Sequence, residues 1–179
     1  MKTDYQIHLE YISKYREGDV IYHATLPENV PSFLQNGFDP ARIGSGGGCQ
    51  GGAGLSGAWC AADAREWGER IYGWGTPIAV LRVSLPGVKL ASHQQCDESF
   101  PAILQWGKDQ GYVREDWEGL HSTEKLQALY PPGLLFSRPG WVLTGKYFLA
   151  QGYDGYCIGI EEVVIVNFDL LKPEAFSRV

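Results

Sequence analysis

Three short segments hold the side chains with the most chemical potential. Tyr22-His23-Ala24-Thr25 closes a run of β-branched and aromatic residues, and an imidazole there can exchange a hydrogen bond with a ligand hydroxyl. Gly57-Ala58-Trp59-Cys60-Ala61-Ala62-Asp63 carries an indole whose flat face suits stacking on a ring. Glu162 opens the run Val163-Val164-Ile165-Val166-Asn167, and a carboxylate fixed on a strand stabilises positive charge developing beside it. Taken singly, each has an ordinary structural reading: a histidine at a strand end, a core tryptophan, the wet end of an edge strand. Other chemistries find less support. His8, His23, His93 and His121 lack metal-ligand spacing, so no metal is expected. Chain order alone leaves a Ser–His–Asp or Cys–His site open, but there is no GxSxG elbow and no cysteine in a recognisable nucleophile setting.

The elements that must position these residues follow from pattern. Residues 5–16 read as a short helix. Asp19 to Thr25 reads as a strand ended by Pro27, and a helix begins near Glu28, with Val30, Phe33 and Leu34 at helical spacing and Asn36-Gly37 as its stop. Gly44 to Gly54 is nearly all glycine and small residues. It lacks the GK[ST] of a phosphate loop and the context of a dinucleotide GxGxxG, which leaves a mobile loop or a flap over a ligand. Residues 58–62 read as a short strand, followed by a helix from Asp63 to Tyr72 with Asp63 as its cap and Trp67, Ile71 and Tyr72 facing inward. Ile78 to Leu85 is a clear strand, stopped by Pro86-Gly87. Helices are expected over 98–112, 122–130 and 143–151, and strands over 156–158 and 162–166. Strands first and last with helices between fit an α+β protein better than a doubly wound one.

With 179 residues, 44% of them hydrophobic and 20% charged, the chain suits a single globular domain over 1–179. Its net charge of −6 argues against general electrostatic attraction to nucleic acid or anionic membranes, though a local basic patch remains compatible. Cys49, Cys60, Cys96 and Cys157 form no CxxC pair. With no secretory signal and no apolar run of membrane-spanning length, reduced thiols and a cytoplasmic site of action are expected. A toxin delivered by a dedicated secretion system would carry the same signature.

Considered together, the three segments resemble the ADP-ribosyltransferase superfamily, in its diphtheria-toxin and poly(ADP-ribose)-polymerase branch with a His–Tyr–Glu pattern. Tyr22-His23-Ala24-Thr25 resembles the first motif and Gly57 to Asp63 the second. Tyr153-Asp154-Gly155 through Lys172, with Glu162 leading a strand, resembles the third. The resemblance runs from about residue 19 to 173 and is thin at about 90–140, where an insertion is expected. It implies two small, mostly antiparallel sheets meeting at a cleft lined by His23, Trp59, Tyr72 and Glu162. It implies NAD as substrate, with His23 and Thr25 on ribose hydroxyls and the Ala24 backbone on the nicotinamide carboxamide. Trp59 and Tyr72 would flank the nicotinamide ring, and Glu162 would act in catalysis.

Two positions depart from the family pattern: Ala24 stands for the usual glycine and Trp59 for the usual tyrosine. Ile160, two residues before Glu162, breaks the Glu-x-Glu of the arginine-modifying branch; Glu161 is the rival carboxylate, and strand alternation turns it to the other face. The activity implied is mono-ADP-ribosyl transfer to a protein or nucleic-acid acceptor, as in a bacterial toxin or effector, which would also have an inhibitory immunity protein as partner. The alternatives are an NAD glycohydrolase on the same fold, and a silent module that binds NAD, ADP-ribose or a protein.

Overall fold

A computed structural model describes residues 6–7, 10–11, 14, 16, 18–42, 54–113, 139–158 and 162–179. The described residues form an α+β fold around one seven-stranded sheet. Its strands are β1 (Val20–Thr25), β2 (Leu55–Ala58), β3 (Ala79–Ser84), β4 (Leu90–Ala91), β5 (Gly155–Ile158), β6 (Glu162–Ile165) and β7 (Phe176–Arg178). They lie in the order β4-β5-β6-β2-β1-β3-β7, and every neighbouring pair is antiparallel except β4 with β5.

The two separate sheets expected from the sequence are therefore joined into one, but the join is narrow. β1 pairs with β3 through six residues, from Val20↔Ser84 to Thr25↔Ala79, and β2 pairs with β6 through four. Between β1 and β2 the only pair is Tyr22↔Ala58. Continuing that register would bring Ala24 opposite Ser56, but no pair forms there. The ladder between β1 and β2 is thus open on the side of Ala24, Thr25 and Ser56.

The helices that cover the sheet include α1 (Val30–Asn36), α2 (Ala61–Tyr72), α3 (His93–Glu98), α4 (Phe100–Asp109) and α5 (Pro139–Ala150), and the described residues 6, 7, 10, 11 and 14 are helical as well. Gly37 ends α1 at φ +74°, its N–H on the Phe33 carbonyl, as the Asn36-Gly37 stop requires. β2 begins three residues before the expected 58–62, and α2 begins at Ala61 with Cys60, not Asp63, in the capping position. The inward face of α2 is made of small residues. Ala64 and Gly68 are buried, whereas Trp67 and Tyr72 are half-buried and Ile71 is exposed. A Cβ on Gly68 would lie 2.7 Å from Ile78 Cγ2 and 2.9 Å from Ala24 Cβ, so glycine lets the helix sit directly on β1. The helix expected over 98–112 is α4, and a helix not expected from the sequence, α3, precedes it, the two meeting at Ser99; α3 opens with a capping box between Ser92 and Gln95. The Gly-rich loop up to Ala53 and the helix expected over 122–130 lie outside the described residues.

One face of the sheet carries Ile21, Leu55, Leu81, Val83, Val163 and Ile165, covered by Phe33, Leu34 and Phe38. The other face carries two clusters. Val20, Tyr22, Ala58 and Val80 meet Ala64 of α2, and Ala91, Tyr156 and Val164 meet Ile103, Leu143 and Phe148 of α4 and α5. The expected turn at Tyr153-Asp154-Gly155 acts as a clamp. The Asp154 carboxylate accepts the Lys89 N–H at 2.8 Å and the Asn167 amide at 2.7 Å, so the starts of β4 and β5 and the end of β6 are tied to one point. Among the described residues, no helix is long and apolar enough to cross a membrane.

Candidate active site

The opening between β1 and β2 leaves the backbone carbonyl of Ser56 without a ladder partner on the β1 side, and His23 fills that role. Its Nδ1 lies 2.7 Å from the Ser56 oxygen. A carbonyl only accepts, so Nδ1 carries the proton and, in the neutral ring, Nε2 at the far side presents a lone pair. Burial holds the His23 pKa below its ordinary value, more than the Ser56 carbonyl raises it. At neutral pH the ring is therefore neutral, an acceptor suited to a ligand hydroxyl. Phe33 of α1 lies against the imidazole with centroids 5.2 Å apart and limits its rotation.

The hydroxyl of the same serine donates to Glu162 Oε1 at 2.5 Å. Glu162 is only 2% exposed, one of few buried polar residues in the described core. A carboxylate in such a place requires hydrogen bonds, and Ser56 supplies one. The register explains the encounter. Ser56 pairs with Val164 and Ala58 with Glu162, so Ser56 and Glu162 are diagonal neighbours on one face of adjacent strands.

His23 and Glu162 do not share that face. Tyr22↔Ala58 and Ala58↔Glu162 place Tyr22, Ala58 and Glu162 in one row, and alternation sends His23 to the opposite side with Ile21 and Leu81. The two come together only through Ser56, His23 on its carbonyl and Glu162 on its hydroxyl. The expectation that both side chains line one cleft directly is corrected to this arrangement.

The side chains of Trp59 and Thr25 are not brought to this point. Trp59 is 1% exposed, packed in the core with Ile21 and Leu55, and the Arg16 guanidinium lies over its ring at 5.2 Å. Neither face is open to a ligand; the strand–helix junction has turned the indole into the core. Thr25 is buried and its hydroxyl accepts from the Asn29 amide at 3.3 Å, which removes it from ribose contact. The methyl of Ala24 faces α2 at Gly68, while its backbone runs along the opening.

Tyr72 is the last residue of α2. One residue advances a helix by about 100°. Arg65, which reaches the Ile78 carbonyl, and Tyr72 therefore share the flank of α2 toward β3. By the same rotation Trp67 lies on the opposite flank of the helix, and it is half-buried. Sequence reasoning named Trp67 only as a packing residue, and Ser56 not at all. The signal for Ser56 was a polar residue alternating with Leu55 and Gly57, hidden because the strand was begun at Ala58 and Ser56 left beside the Gly-rich loop. Glu161 lies outside the described residues.

Among the described residues, no group of three or more His, Cys, Asp or Glu is placed to hold a metal ion. The thiols of Cys96 and Cys157 are buried, and burial pushes both up to about 12, so neither is a nucleophile near neutral pH. No protein-family model matches the chain, and no curated protein matches it in sequence.

Proposed function

We infer that this protein is an NAD-dependent mono-ADP-ribosyltransferase, acting as a toxin or effector does on an acceptor in the cytoplasm. The observation that carries this reading is the convergence of His23 and Glu162 on Ser56 at an opening in the sheet. Those two residues came forward from motif resemblance alone, and chain order did not require them to meet.

The reading assigns roles by chemistry. His23 Nε2, held as an acceptor, takes a hydrogen bond from a ribose hydroxyl. The Ala24 backbone at the opening offers its amide groups to the nicotinamide carboxamide. Trp67, half-buried on the flank of α2 opposite Tyr72, takes over the ring-packing role expected of Trp59. As the C1′–N bond breaks, the sugar gains oxocarbenium character, and the carboxylate pair of Glu162 and Ser56 supplies negative charge that burial keeps unscreened. Nicotinamide leaves as a neutral base, so no metal is required for its departure.

Incubation with NAD labelled in its adenylate half tests the reading, with and without a cell lysate. Label on macromolecules together with free nicotinamide is the expected result. Label released only as ADP-ribose would make the protein a glycohydrolase, and unchanged NAD under both conditions would overturn the activity.

A further inference from the structure

On the sheet face under α2, one row of residues crosses five strands. The pairs Arg82↔Ser177, Tyr22↔Arg82, Tyr22↔Ala58 and Ala58↔Glu162 set Ser177, Arg82, Tyr22, Ala58 and Glu162 side by side. Ala64 of α2 packs with Tyr22 and Ala58 in the middle of that row. The helix therefore stands between Arg82 and Glu162, which belong to its opposite flanks.

Arg82 is half-buried, and no hydrogen bond or ion pair holds its guanidinium. Among the described residues, the buried side-chain nitrogen or oxygen that lacks a partner is Trp59 Nε1. The nitrogens of Arg82, equally without partners, are therefore not buried: solvent reaches them. A shortage of acids does not explain this cation. The chain has 21 Asp and Glu against 15 Lys and Arg, and Arg16, Arg70 and Lys172 each hold a carboxylate. Arg82 has instead a hydroxyl-bearing residue on either side, Tyr22 and Ser177.

Arg65 stands on the same flank of α2 and is exposed. One of its N–H groups makes a long bond of 3.4 Å to the Ile78 carbonyl at the entrance to β3, and the rest of the fork has no partner. Glu69, one turn further along that flank, forms no ion pair with either arginine. Two planar cations with free donors suit phosphate oxygens, which a guanidinium grips through two parallel N–H···O bonds. From Ile78 to Arg82 the strand advances about 13 Å. Two arginine side chains converging across that span suit a diphosphate better than a small single anion.

We propose that Arg65 and Arg82 form a binding site for a diphosphate-bearing small molecule on the β3 flank of α2, separate from the Ser56–Glu162 pair. The site does not rest on the function inferred above. The ligand's oxygens take the free donors of both guanidiniums, with Ser177 at the rim, and tie α2 to β3.

Inorganic pyrophosphate is the probe, titrated into the isotope-labelled full chain at constant ionic strength with sodium chloride. The arginine Nε–H signals are followed by NMR and assigned with Arg65→Lys and Arg82→Lys. The signals of Arg65 and Arg82 should shift together along one saturable curve. That of Arg178, paired opposite Leu81 and so turned to the other face, should stay in place. Affinity should fall about tenfold or more in Arg82→Gln, as for the loss of a charge-assisted contact, and Glu162→Gln should bind as the parent does. An unshifted Arg82 in the parent overturns the site, a result that needs no variant to fold. Equal shifts at Arg178 would reduce the effect to diffuse charge and overturn it too. A shift at Arg82 without one at Arg65 would remove the pair, and weakened binding in Glu162→Gln would remove its separation from the other flank.

Discussion

Ser56 and Glu162 are 106 residues apart in the chain, and the hydroxyl of one lies 2.5 Å from the carboxylate of the other. Removing the donor leaves a buried carboxylate short of a partner. Ser56→Ala should therefore destabilise the fold by about 1.5–3 kcal/mol, the range for hydrogen bonds to charged groups. Urea denaturation at neutral pH measures it. Much of the loss should return in Ser56→Ala/Glu162→Gln, where the side chain that loses the serine is no longer charged, and a double mutant no more stable than Ser56→Ala would contradict the pairing.

Glu162→Gln keeps the shape of the side chain and removes its charge. Nicotinamide release at saturating NAD should fall on the order of a hundredfold or more, with much less change in NAD binding. Glu161→Gln should change either quantity little, as expected if the alternation read from the sequence holds. An inactive Glu161→Gln beside an active Glu162→Gln would shift the site by one residue.

The imidazole of His23 gives a pH dependence of known sign. Its pKa in the fold lies below the ordinary 6.5 because burial disfavours the charged ring. Above 6.5 neither the folded nor the unfolded state holds the proton, and stability is unaffected. As pH falls below that value the unfolded chain protonates first, so stability drops until the folded ring protonates as well. Between about pH 7.5 and pH 5 the parent should lose more Tm than His23→Asn. Parallel curves for the two proteins would show that His23 is not held neutral.

Gly68→Ala tests the seat of α2 on β1. The added methyl meets Ile78 and Ala24 below normal contact distance, and a cost of about 1–3 kcal/mol is expected. Combining it with Ala24→Gly should restore part of that loss, since one of the two obstructing groups is gone. Additive losses in the double variant would mean that the helix does not rest on Ala24.

Trp59 now carries a stability prediction in place of a binding one. Truncating this buried ring to alanine should cost about 3–5 kcal/mol. The indole Nε1 has no hydrogen-bond partner among the described residues, so Trp59→Phe gives up no polar contact and should be far milder. Thermal melts of the three proteins decide the order.

How far the sequence could be read depended on the kind of signal. β1 and β3 stood out because β-branched and other apolar residues recur through six-residue strands, β6 because Val163, Val164 and Ile165 are all β-branched, and β5 through Tyr156 and Ile158. β4, only two residues long, and β7, with exposed Ser177 and Arg178, carry no such pattern. β2 was misplaced because Leu-Ser-Gly-Ala has low strand propensity; it is a strand because β6 pairs with it, a tertiary fact. His23 and Glu162 were visible as residue types at strand ends. Their link through Ser56 was not, since it depends on a register between strands distant in the chain. Trp59 was misjudged because an aromatic near a motif looks the same whether it faces a ligand or the core, and here it packs beneath Arg16.

The place of β6 in the sheet order has a consequence for synthesis. β6 comes late in the chain yet stands between β5 and β2. While the ribosome has released only the first hundred residues or so, β1, β2 and β3 can pair, but the β6-facing edge of β2 has no neighbour. An unpaired edge of this kind invites pairing with other chains. The nascent protein is thus most exposed to aggregation just before residues 155–165 emerge, and the strand that relieves the exposure is the one that carries Glu162. Folding to a safe state and arming the site are the same event.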